Sequence, residues 1–195
     1  MRVVVSAVKG AGKTTAIKFV KERKKDIGII TVGDFFAEEY KRRNLKRDEG
    51  DKAVSREEHE KIQRDIFKRI GREIEKYDNV IIDTNLFFLK SEGYFPGLPE
   101  YALREIKPDV IVVMEYKPEF ILKRREKDRE RIGRERSAAL TLHGIEEEQS
   151  IQKHYAFVAS GLTGCTVIIL KRYETEKVEF EHNKKNAEEI LNLFK

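Results

Sequence analysis

Gly10, Gly12, Lys13 and Thr14 fall within five residues of one another, behind a short valine run and ahead of an amphipathic stretch. The segment AVKGAGKT follows the pattern G-x-x-x-x-G-K-[ST], with Ala7 in place of the first glycine and Lys9 inside the loop. Two glycines let the backbone curl so that successive N–H groups face one anion. A lysine at this place reaches the outer phosphates of a nucleoside triphosphate, and the following hydroxyl suits Mg²⁺. A helix opening at Lys13 adds its positive end. The candidate phosphate-binding residues are therefore Ala7, Val8, Lys9, Gly10, Ala11, Gly12, Lys13, Thr14 and Thr15. Ala7 fits if its φ is negative; a positive φ would cost it about 1 kcal/mol or more. Lys9 either adds charge near the phosphates or points to solvent.

Two carboxylates share the placement expected of such a site. Asp34 follows the apolar run Ile27–Val32, and Asp83 follows Val80–Ile82. Ligands of α/β sheets gather at the carboxyl ends of strands. Asp83 suits support of hydrated Mg²⁺ beside Thr14, against the plainer reading of a turn residue. Asp34 reads equally as a helix N-cap or as a substrate-site residue.

The segment 123–136, KRREKDRERIGRER, holds eight basic and four acidic residues. Arg124, Asp128 and Arg131 share a helix face and can pair. Most of the segment reads as a solvated, salt-bridged helix. The preference for arginine over lysine suits phosphate oxygens, and Gly133 breaks the helix. Phosphoryl transfer requires positive charge on the moving group and exclusion of water. Arg124, Arg131 and one or both of Arg134 and Arg136 are the candidate arginines for that role; Arg125 and Arg129 are assigned to the surface.

These residues need a scaffold. Short Val/Ile-rich runs, Val3–Ser6, Ile27–Val32, Val80–Asp83, Val110–Met114 and Thr166–Leu170, read as strands buried on both faces. Helical segments lie between them, at Lys13–Lys24, Arg56–Lys76, Pro118–Arg131, Ile145–Leu162 and Asn183–Phe194. Ile62, Ile66, Ile70 and Ile74 form one apolar stripe. The alternation predicts α/β class, a three-layer α/β/α sandwich on a five-stranded parallel sheet; the glycine loop between the first strand and helix makes it the P-loop NTPase type. The 195 residues suit a single domain with a sizeable core.

Composition narrows the setting. The 40 basic and 35 acidic residues alternate along the chain, so the net +5 gives little argument for nucleic acid. One cysteine, Cys165, rules out an internal disulfide and fits a reducing compartment. No apolar run reaches membrane-span length, and the opening apolar run is too short for a signal peptide. Cytoplasmic residence is the default expectation. Abundant Lys and Glu without Trp lean toward a heat-adapted source.

The chain also resembles the archaeal-type adenylate kinases, a branch of the P-loop nucleoside monophosphate kinases. The shared segments are GAGKTT (Gly10–Thr15), VGDFF (Val32–Phe36), RDE (Arg47–Glu49), IIDTN (Ile81–Asn85), GYFPGLP (Gly93–Pro99), the arginine-rich lid and HYAFVAS (His154–Ser160). GYFPGLP is the most specific of them. The resemblance implies reversible phosphoryl transfer from Mg·ATP to AMP, a short lid at about 124–143, a monophosphate-binding region at about 34–76, and a homotrimer. It implies that Lys13 and Thr14 bind ATP phosphates and Mg²⁺, that Asp83 supports the metal, and that Asp34, Arg47 and Asp83 border the monophosphate. It gives catalytic roles to Lys13, Arg124, Arg131 and Arg134. Asn85 stands where the family tends to have histidine, Leu89 and Asp51 where it has basic residues, and His154 where arginine is common. The ATP side therefore follows the pattern more closely than the acceptor side. Two other readings stay open: an adenylate-kinase-like NTPase that acts as an assembly or regulatory factor, and a phosphotransferase on another small acceptor.

Overall fold

The computed structural model describes residues 1–44, 54–90, 93–132 and 139–195. In chain order the elements are β1 (Arg2–Ala7), α1 (Lys13–Arg23), β2 (Gly28–Thr31), α2 (Val32–Arg42), α3 (Arg56–Ile74), β3 (Val80–Asp83), β4 (Phe87–Lys90), β5 (Gly93–Pro96), α4 (Glu100–Ile106), β6 (Val110–Tyr116), α5 (Pro118–Ile132), α6 (Leu142–Thr163), β7 (Thr166–Arg172) and α7 (Glu181–Asn192). Five strands make one parallel sheet in the order β2-β3-β1-β6-β7. All five predicted strands are present, and β1 lies at the centre.

Alternation along the buried strands sorts their side chains onto two faces. Val4, Ile82, Ile111 and Val113 pack with Phe36, Tyr40, Ile62, Ile66, Ile70 and Ile74, under α2, α3, α4 and α6. Val3, Val5, Ile81, Val112 and Met114 pack with Ala16, Ile17, Val20, Ile121 and Ile190, under α1, α5 and α7. The result is the expected three-layer sandwich. The predicted isoleucine stripe of α3 is buried along its whole length. Ser55 caps that helix by accepting the Glu58 N–H at 3.2 Å.

Four elements lie outside the predicted strands and helices: α2, β4, β5 and α4. The antiparallel pair β4–β5 forms a separate two-stranded sheet, with Phe88 opposite Phe95 and Leu89 opposite Tyr94. The seven-residue helix α4 follows it. Among the described residues no helix is long and apolar enough to cross a membrane.

Candidate active site

The segment after β1 turns sharply into α1. Gly10 and Gly12 both have φ of 85°, the left-handed region where side chains cost roughly 1–2 kcal/mol. Ala7 is the last residue of β1, paired in register with Met114 and 2% exposed. Its φ is not positive, so the methyl group fits where the pattern carries glycine. Lys9 is exposed and Val8 and Ala11 are buried. Thr14 is exposed at the second position of α1, and Thr15 is half-buried.

Lys13 opens α1 and points across the end of β3. Its Nζ is ion-paired with Asp83 Oδ1 and donates to the Thr84 carbonyl at 2.7 Å and to Asn85 Oδ1 at 3.4 Å. Asp83 ends β3, in register with Val5 on one side and Thr31 on the other. The chain leaving β1 runs to β2, and the chain leaving β3 runs to β6, on opposite sides of the pair. Ligands collect where strand connections diverge in this way. Burial pushes the Lys13 ammonium below its ordinary pKa, and the charge and hydrogen bond of Asp83 offset part of that shift.

The β4–β5 pair is held against the residues after Asp83. Gly97 donates its N–H to the Leu86 carbonyl at 2.8 Å, and a Cβ there would lie 1.9 Å from the Asn85 carbonyl oxygen. Only glycine permits this approach. Gln63 of α3 donates to the Pro96 and Gly97 carbonyls, at 3.3 Å each, and accepts the Tyr101 hydroxyl at 2.5 Å. GYFPGLP thus braces the Asp83–Thr84–Asn85 corner.

The arginines divide differently from the sequence reading. Arg124 is partly buried over the Tyr116 ring, 5.0 Å from its centroid. Its Nη1 donates to the Ala11 carbonyl and its Nη2 to Glu176, both at 3.3 Å. Arg125, assigned to the surface from sequence, is 6% exposed. Its Nε donates to the Lys9 carbonyl at 2.8 Å, Nη1 to the Ala139 carbonyl at 2.5 Å, and Nη2 to Glu148 at 2.6 Å. The reason is register: Arg125 stands four residues after the fully buried Ile121, on the inward face of α5. Arg129 is exposed, as expected. Arg131 lies in the last turn of α5, but its side chain is outside the described residues, as are Gly133, Arg134, Arg136, Arg47 and Asp51.

Asp34 is not the cap of α2. Thr31 holds that place, and Asp34 is exposed in the first turn, where its charge suits the helix N-terminus. Leu89 is exposed on β4 and His154 on α6. Sequence reasoning missed Asn183, whose Nδ2 donates to the Gly12 carbonyl at 2.7 Å, together with Glu148 and Glu176. Arg125 was recoverable from its spacing to Ile121. Asn183 and Glu176 carried no signal, because Asn183 meets Gly12, and Glu176 meets Arg124, only through the fold.

A central strand that turns through a glycine loop onto a lysine, beside a strand-end aspartate, defines a P-loop protein of the phosphotransferase type. Residues 7–142 match the family described as an AAA domain. The chain is 37% identical to an adenylate kinase of Pyrobaculum aerophilum, over 99% of this chain and 96% of that protein. It is 35% identical to an adenylate kinase of Thermoplasma volcanium, over the full length of both. Shikimate kinase from Acinetobacter baumannii superposes with a TM-score of 0.55 at 15% identity, covering 99% of this chain and 92% of that one, a likeness of fold alone. The chain belongs to the adenylate kinase family, in its archaeal branch, and is a kinase of the nucleoside monophosphate class.

Proposed function

We propose that this chain transfers the γ-phosphoryl group of ATP to AMP, with Mg²⁺. An oxygen of the AMP phosphate attacks the γ-phosphorus, the bond from that phosphorus to the β,γ-bridging oxygen breaks, and two ADP result. The observation that carries the reading is the Lys13 ammonium, held by Asp83 and the Thr84 carbonyl directly below the glycine loop. On this reading, residues 7–15 receive the ATP phosphates, and Lys13 exchanges the Asp83 carboxylate for phosphate oxygens. Arg124, Arg131 and Arg134 neutralise charge on the moving group, while Asp34, Arg47 and Asp83 border the AMP. The chemistry asks for positioning and charge rather than a general base.

The donor set suits Mg²⁺. The exposed Thr14 hydroxyl and the Asp83 carboxylate at the strand end are hard oxygen ligands, the kind this ion selects. The ion, once bound, would neutralise phosphate charge. Regions 34–76 and 124–143 are assigned as the monophosphate-binding part and the lid. A homotrimer, implied by the resemblance alone, belongs to this reading, and Phe157, Val158 and Leu162, exposed on α6, supply an apolar face for self-association. The unpaired, buried Cys165 supports a reducing, cytoplasmic setting.

Coupled turnover of ATP with AMP, CMP, UMP and GMP tests the proposal. ATP loss that rises only with AMP is the expected outcome. Equal, slow ATP loss with and without every monophosphate would instead favour the ATP-driven switch reading, and turnover with a different acceptor the altered phosphotransferase.

A further inference from the structure

We infer that Arg125, paired with Glu148, is a positioning residue of the phosphate loop: it fixes the orientation of the Lys9–Gly10 peptide and so aims the Gly10 N–H at the phosphates. The inference rests on reading the loop as the ATP phosphate site.

The argument is geometric. The described chain has no cis peptide bond, and in a trans peptide the C=O and N–H point in opposite directions. Arg125 lies outside the loop, where its Cγ would stand 3.0 Å from a Cβ on Gly10. Its Nε–H draws the Lys9 carbonyl outward at 2.8 Å. The Gly10 N–H on the far side of that peptide is turned toward the loop interior. Two other side chains also hold loop carbonyls. Arg124 holds the Ala11 carbonyl at 3.3 Å, and Asn183 holds the Gly12 carbonyl at 2.7 Å. The loop amides are thereby oriented before any anion arrives, which lowers the ordering cost of binding.

Arg125 is the most constrained of the three. Its fork reaches the Lys9 carbonyl, the Ala139 carbonyl and Glu148, on three segments of the chain. Glu148 completes the set by accepting the Ala139 N–H at 2.8 Å. The pair is almost fully buried, with relative exposures of 6% and 8%. Glu148 neutralises the guanidinium locally, so orientation rather than added positive charge is the contribution to phosphate binding. A lysine keeps the charge, but its three N–H donors sit on one nitrogen and cannot span acceptors on three separate segments.

Titration calorimetry of the full chain with ATP and with inorganic tripolyphosphate tests this, together with the KM for AMP at saturating ATP. The variants are Arg125→Lys and the double variant Arg125→Met/Glu148→Gln. The double variant leaves no unpaired carboxylate, and its glutamine still accepts the Ala139 N–H, so it keeps the test open if single variants unfold. Both variants are expected to bind both probes roughly 10- to 100-fold more weakly, the loss of one charge-assisted hydrogen bond. The KM for AMP is expected to stay at the wild-type value. Folded variants that bind both probes like wild type overturn the inference, and so does an equal rise in the KM for AMP, which marks general loosening. Wild type that binds neither probe overturns the phosphate-loop reading along with it.

Discussion

The Lys13 ammonium is paired with the Asp83 carboxylate, across the gap between the start of α1 and the end of β3. Each side chain is almost buried, at 14% and 10% exposure, so each charge depends on the other. Lys13→Ala is expected to abolish turnover with the far-UV circular dichroism unchanged. Asp83→Asn is expected to lower kcat by roughly 100-fold, on the scale of a lost charge-stabilising group, and to raise the Mg²⁺ needed for half-maximal rate. A Mg²⁺ dependence equal to wild type would remove Asp83 from the metal site.

Gly97 meets the Asn85 carbonyl oxygen so closely that a methyl group forces the backbone apart. Gly97→Ala is expected to destabilise the chain by about 1–3 kcal/mol, the usual range for overpacking. Urea midpoints measure it. Because Asn85 also accepts from Lys13, activity is expected to fall further than stability alone explains. A stable, fully active variant would detach the β4–β5 pair from the site.

The predicted framework was legible because β1, β3 and β6 are buried on both faces, which leaves uninterrupted Val/Ile runs such as Val110–Met114. Against the expectation, β2 and β7 are only partly buried, because they are the two edges of the sheet. Asp83 was legible because it sits where such a run ends, and Lys13 was legible from the glycine-loop spacing after β1. The β4–β5 pair was not, because Phe87, Leu89 and Tyr94 sit on a half-exposed surface with no clean alternation. Arg125 was hidden by composition: among so many exposed charges, one buried arginine stands out only through its spacing to Ile121. Asn183 reaches Gly12 from the far end of the chain, and no local pattern records that contact.

Glu115 is a second buried charge away from the loop. It is 5% exposed at the end of β6, paired with Lys153 at 2.6 Å and accepting the Tyr173 hydroxyl. Burial pushes this carboxyl up, but the hydrogen bonds from Lys153 and Tyr173 outweigh it and hold the group below the usual range. Lys153→Met leaves the carboxylate without its cation and is expected to lower stability by about 3 kcal/mol at neutral pH. A depressed carboxyl pKa stabilises the fold above the unfolded value of 4.5, and that contribution is lost as pH falls through the folded value. The stability difference between wild type and variant should therefore shrink in denaturant titrations below that pH. A constant difference across the acid range would assign the loss to packing.

His182 gives the opposite chemical group and a different pH window. It is 2% exposed, between the rings of Tyr116 and Phe120 at 5.9 and 5.7 Å. Burial pushes its pKa below 6.5; Glu176 draws it back in part, while Arg124 and Arg172 push it down again. The folded state therefore favours the neutral ring, and the unfolded chain binds more protons once pH drops below 6.5. Stability from this site is complete above that value and is lost as pH falls from it toward the folded pKa. His182→Gln is expected to flatten the stability profile in that window. It should also leave the midpoint at pH 8 little changed if the amide fills the ring's place. Thermal melts at matched ionic strength decide the matter: a slope between pH 7 and 5 that persists unchanged in the variant would place the titrating group elsewhere.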